Sequence, residues 1–175
     1  MTRTGDQTLR VLGVVLGLVA AASLVLSSRI PPGTGSLGAD VIVASTPTKE
    51  LGVSPAGPFL SATNLSPGAE DAPTGALKVT NQTGVDLDVH LRGLPSTRDL
   101  DDALRVRVAA DGDPVFDGTL GQLRSWSPTG FLLASGETGE VEVRTWLDPA
   151  AGQSWSGRIA NVTLEFRSTP IGGAA

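Results

Sequence analysis

The sequence predicts an all-β domain in which two sheets pack face to face, and three observations lead there. Apolar and polar residues alternate with period two in five separate stretches. Turn-forming residues are dense, with 22 Gly and 12 Pro in 175 residues, where an ordinary chain has roughly an eighth of its residues as Gly or Pro. The composition, 40% hydrophobic and 18% charged, is too apolar for a disordered chain and too sparsely charged for a coiled coil.

The strands follow in order. Leu77 and Val79 oppose Lys78 and Thr80. Val85, Leu87, Val89 and Leu91 alternate with Asp86, Asp88, His90 and Arg92. Leu104, Val106 and Val108 alternate with Arg105 and Arg107, and Val141 and Val143 with Glu142 and Arg144. Val162, Leu164 and Phe166 alternate with Thr163 and Glu165. Successive Cβ atoms point to opposite faces of a strand, so each stretch has one dry and one wet side. Such strands cannot bury their apolar sides singly, whereas two sheets about 10 Å apart bury them all.

The connections are read from turn chemistry. Asn81-Gln82-Thr83-Gly84 predicts a hairpin turn, and Ala110-Asp111-Gly112-Asp113-Pro114 another that leads into Val115-Phe116-Asp117. One or two short helices are expected. Ser96–Leu104 has a capping Ser96 and acidic Asp99, Asp101 and Asp102 for a helix N-terminus, and Gly121–Ser127 forms a second short irregular piece. Leu65-Ser66-Pro67-Gly68 and Leu133-Ala134-Ser135-Gly136 echo each other as L-x-x-G before a strand. The Leu is expected to plug the end of the core and the Gly to supply a positive-φ turn.

The first 28 residues read as a signal peptide or an N-terminal membrane anchor. Arg3 and Arg10 precede the uncharged run Val11–Leu26, which is short of the roughly 20 residues a spanning helix needs. Both Val25-Leu26-Ser27 and Leu26-Ser27-Ser28 offer a cleavage pattern. Either way the rest of the chain is expected outside the cytoplasm, touching a membrane only through residues 11–26 if they are retained. Residues 29–58, rich in Pro and Gly, are expected as an extended leader with one strand at Val41–Ala44 or Leu51–Val53. Residues 59–168 then form the sandwich and 169–175 a flexible tail. Gly33, Gly35 and Gly38 spell G-x-G-x-x-G, but Pro31-Pro32 stands where a dinucleotide site needs a strand.

The chemistry open to this chain is narrow. Formal net charge is -5. From Asp40 onward ten Lys and Arg face seventeen Asp and Glu, a net of -7. No nucleic-acid partner is expected, because no cationic surface is available to neutralise phosphates. The absence of Cys excludes disulfides, thiolate metal sites and a thiol nucleophile. The single histidine, His90, cannot supply the ligands and base of a zinc peptidase, and no G-x-S-x-G accompanies it. No catalytic residues and no cofactor are therefore expected. Asp86, Asp88 and His90 share one side of a strand, and Asp111, Asp113 and Asp117 lie on a hairpin. Both are weak candidates for a cation site, since hard cations favour carboxylate oxygens, and both also suit an ordinary wet face or turn. Asn81-Gln82-Thr83 and Asn161-Val162-Thr163 match the glycosylation pattern, the second within a strand.

Trp126, Trp146 and Trp155 are the candidate partner-binding residues, as large apolar side chains in a chain with no Tyr. If Val141 and Val143 face inward, Trp146 faces outward. Trp126 and Trp155 lie in Ser/Pro/Gly-rich connections, where the alternative role is to cap the open ends of the sandwich.

Phe59–Gly68, Gly75–Asn81, Val85–Leu91, Leu104–Val108, Phe116–Leu120, Leu133–Glu137 and Gly157–Phe166, taken in order, resemble the TasA/camelysin family of secreted Gram-positive proteins, which carry a SipW-type signal peptide. The resemblance covers roughly residues 59–167 and the export signal. Where such proteins often have an aromatic, Thr/Asp-containing stretch, this chain has its Pro/Gly-rich leader. The resemblance implies an antiparallel jelly-roll-like β-sandwich and a cell-surface or biofilm-matrix component, in some members assembled into fibres. It also brings an older metallopeptidase label. The leading expectation is a non-enzymatic structural protein of the cell surface or extracellular matrix, associating with itself or another surface protein through β-edges or an added N-terminal strand. The alternative is a membrane-anchored module binding carbohydrate or protein through its Trp-bearing rim. A camelysin-like peptidase is the third reading.

Overall fold

The computed structural model describes residues 38–68, 72–150 and 155–172. The signal or anchor segment lies outside them. The described chain is a sandwich of two five-stranded sheets. Sheet I has the order β3 (Gly57–Leu65), β1 (Ala39–Ser45), β10 (Ile159–Pro170), β5 (Leu87–Pro95), β8 (Phe131–Leu133). Sheet II has the order β2 (Leu51–Ser54), β4 (Thr74–Asn81), β9 (Thr138–Leu147), β6 (Leu104–Ala110), β7 (Asp113–Thr119). The single helix among the described residues, α1, spans Leu120–Leu123.

The alternation of the sequence becomes the core directly. Leu77, Val79, Val106, Val108, Val141 and Val143 from sheet II face Val41, Val43, Val89, Leu91, Val162 and Leu164 from sheet I, and all are buried. The L-x-x-G echo is also realised. Leu65 and Leu133 are buried, and Gly68 and Gly136 take φ of 113° and 74°, a region open to Gly at little cost.

Consecutive strands change sheet at each step except one, β6 to β7. That hairpin has Asp111 and Gly112 both at positive φ, 48° and 89°, as the two-residue turn of a right-twisted hairpin requires. The expected hairpin at Asn81–Gly84 is corrected by this pattern, because β4 belongs to sheet II and β5 to sheet I. The physical cause is Asn81. Its buried amide donates to the carbonyls of Val85, Leu133 and Ala134, and its Oδ1 accepts from Thr83 N and Oγ1. The side chain thereby supplies the turn's hydrogen bonds and carries the chain across the end of the core. Val85 is consequently exposed and precedes β5.

Three further expectations are corrected. The leader supplies β1, β2 and the start of β3, so the sandwich begins well before Phe59. Val41 and Val43 reach the core from β1, and Leu51 from β2. β1 pairs in parallel with β10, from Asp40↔Ile159 to Ser45↔Leu164, and antiparallel with β3, so sheet I is mixed rather than purely antiparallel. The tail begins after β10 ends at Pro170.

The Ser96–Leu104 segment forms turns as far as Ala103, not a helix, and Leu104 already starts β6. It must pass from β5 to β6 with Leu100 plugged into the core, and its carboxylates have partners elsewhere. Arg124 holds Asp101 bidentately at 2.8 and 2.9 Å and donates to Thr97 O, while Arg158 pairs with Asp99. The helix forms instead at the start of the piece expected as irregular, one residue ahead of Gly121. Thr119 and Gln122 cap it reciprocally, the T-x-x-Q form of a capping box.

Candidate functional site

The wet sides of the two sheets carry the polar residues singled out above. On sheet I, Asp88, His90 and Arg92 of β5 lie beside Glu165 and Arg167 of β10, with Arg92 opposite Glu165 and His90 opposite Arg167. The chain leaving α1 runs along the β5 edge. Ser127 N donates to Leu91 O at 2.7 Å, and Leu91 N donates to Ser127 Oγ at 3.2 Å. His90 Nδ1 donates to the Ser127 carbonyl at 2.7 Å, and Nε2 lies 3.2 Å from Asp88 Oδ2. These contacts fix Trp126, whose ring has the guanidiniums of Arg92 and Arg167 at 4.6 and 4.7 Å from its centroid. Each such contact stabilises by roughly 0.5–1 kcal/mol at a partly exposed site. Gly130 lies so close that a Cβ there would meet Asp88 Oδ1 and His90 Nε2.

On sheet II, Trp146 occupies the outward parity of β9, as expected from Val141 and Val143. It stands opposite Arg105 of β6, while Arg107 is opposite Arg144. The Arg107 guanidinium lies 5.8 Å from the Trp146 centroid. Asp117 of β7 pairs with Arg107 at 2.6 Å and with Arg105 at 3.6 Å. One guanidinium, that of Arg107, thus stands beside the indole, and Asp117 links it to Arg105. At the other end of the face, Asp111, Glu140 and Glu142 line a shallow acidic depression. The face is therefore polarised along the strands.

Trp146 also forms a wall of a cleft of about 540 Å³ between the end of β3 and the start of β4, lined further by Thr63, Asn64, Ser66, Pro67 and Pro73. Asn64 takes a left-handed φ of 57°, and its N–H is held by Asp40 Oδ1 at 2.8 Å. The volume is in the range of small-ligand sites.

Trp155 is buried, 8% exposed, and belongs to the core. It caps the open end of the sandwich beside Gly38 and Leu65, so its expected role in partner binding is corrected to packing. The cation candidates do not converge. Asp86 accepts from Ser135 N, Asp88 faces His90, Asp111 Oδ1 accepts from Glu140 N and Asp117 is paired with arginines. Asp113 starts β7 beside the hairpin turn. Asp88 and His90 lie on sheet I and Asp117 on sheet II, with the core between them. Among the described residues no group of three or more His, Asp or Glu is placed to hold a metal ion, so those residues do not fit a peptidase zinc. Asn81 is buried with its amide engaged and is no glycosylation acceptor. Arg92, Arg167, Arg105 and Arg107, the partners of the two half-buried tryptophans, were visible in the sequence only as polar alternates.

No family model matches this chain, and no curated protein matches it. Among solved structures, a GH31 alpha-xylosidase from Xanthomonas citri aligns at 12% identity and a TM-score of 0.31, over 67% of this chain and 13% of that one. The chain thus spans a small part of that enzyme's length.

Proposed function

We propose that this is an exported, non-catalytic surface or matrix domain that joins copies of itself by exchanging β1. The observation that carries the reading is the placement of β1. Among the described residues it is the strand nearest the N-terminus, and it fills a slot between β3 and β10. It leads on through the exposed residues 46–50. If β1 of one copy enters the slot of another, Val41 and Val43 reach the same core and the same ladders form. The contacts are conserved, so little free energy separates the closed and exchanged forms beyond hinge strain and concentration. The reading is supported further by His90, whose two ring nitrogens face Ser127 O and Asp88 and hold a loop rather than a substrate. The N-terminal export pattern, and the sequence motifs whose order resembles the TasA/camelysin family, agree with a place at the cell surface.

The chain has no cysteine, which gives a clean test. Ile42 and Asn161 are register partners on the outer side of β1 and β10. With Ile42→Cys and Asn161→Cys in one chain, oxidation of a concentrated sample is expected to give a ladder of disulfide-linked multimers on a non-reducing gel. A monomer band alone at every concentration overturns the proposal.

A further inference from the structure

We propose that the Trp146 end of sheet II binds an acidic polysaccharide, a chain of sugar rings bearing carboxylates. The inference does not rest on β1 exchange. Charge supplies the first argument. In a chain with formal net charge -5, Arg105 and Arg107 of β6 lie opposite Trp146 and Arg144 of β9, the Arg107 guanidinium stands 5.8 Å from the indole, and Asp117 is the carboxylate paired with Arg105 and Arg107. Guanidiniums pair bidentately with carboxylates, and such bonds are stronger than those between neutral groups. The acidic depression at Asp111, Glu140 and Glu142 repels the same polymer and confines it to the arginine end.

Shape supplies the second argument and favours a sugar over an acidic peptide. The Trp146 ring is a cleft wall, and indole faces stack on the apolar faces of pyranose rings. The cleft is lined also by the hydroxyl-bearing Thr63 and Ser66, residue types that donate to and accept from sugar hydroxyls. Trp126 makes a useful contrast. Two guanidiniums lie within 4.7 Å of its ring, whereas the one near Trp146 stands at 5.8 Å.

The test passes the full chain over immobilised polygalacturonate. Saturable binding is expected, weakening with added salt. Arg107→Gln and Trp146→Ala should each weaken it by roughly tenfold or more, the loss of one charge-assisted contact or one stacking anchor. Arg105→Gln, a change confined to a surface charge, repeats the arginine test should Trp146→Ala unfold. Fully methyl-esterified polygalacturonate should not bind, and polyglutamate should bind at least about tenfold more weakly. No binding to polygalacturonate overturns the proposal. So does equal binding to polyglutamate, which would indicate an acidic protein partner. A loss in Arg92→Gln on the opposite face as large as that in Arg107→Gln overturns it as well, since any surface arginine would then serve.

Discussion

Sheets I and II each carry a half-buried tryptophan beside arginines on the outer side, yet the two arrangements differ in what holds the ring. Trp126 belongs to the crossover from β7 to β8, and that crossover is laced to the β5 edge by Ser127 and His90. Its indole is fixed by backbone on one side and two guanidiniums above the sheet. Trp146 projects from a strand and lines a cleft. Both rings border recesses of similar volume, about 540 Å³ at Trp146 and about 500 and 460 Å³ at Trp126, so what separates them is how the ring is held: from a crossover under two guanidiniums at Trp126, from a strand beside one at Trp146.

Four substitutions break or sharpen this contrast. The largest effect strikes both sheets together. Asn81→Ala removes a buried amide that ends β4 and ties the carbonyls around β5 and β8, and is expected to cost about 2–4 kcal/mol in urea unfolding. Next, Trp126→Ala should cost about 2 kcal/mol, from lost packing and two cation–π contacts. Trp146→Ala should stay within about 1 kcal/mol, its ring having one guanidinium at 5.8 Å where Trp126 has two within 4.7 Å. Equal losses at the two tryptophans would erase the distinction. The smallest effect is Glu165→Gln. It frees Arg92 from a half-exposed pair at 2.8 Å, which contributes at most about 1 kcal/mol, and thermal melts should barely move.

How far the sequence led differs by element. β6, β9 and β10 were legible because each has one buried side and one wet side, so period-two alternation is written into them. β1 was obscured by the prolines and glycines around it, and nothing local distinguishes a parallel central strand from a leader. The sheet change after β4 was hidden in Asn81, whose side chain makes contacts as far away as Leu133 and Ala134. The capping pair Thr119 and Gln122 was a readable helix signal, but Asp99, Asp101 and Asp102 advertised a helix more strongly, and arginines distant in sequence claimed two of those carboxylates. At the candidate site, the outward aspect of Trp146 followed from parity with Val141 and Val143. The guanidinium beside it, from Arg107, comes from a neighbouring strand, and sequence spacing does not report lateral pairing.

The parallel alignment of β1 with β10 has a mechanical consequence. The chain enters β1 at one pole of the sandwich and leaves β10 at the other, so tension along the polypeptide slides the two strands past each other. The rungs from Asp40 to Ser45 then share the load simultaneously instead of tearing one after another, a geometry suited to a body that is pulled upon.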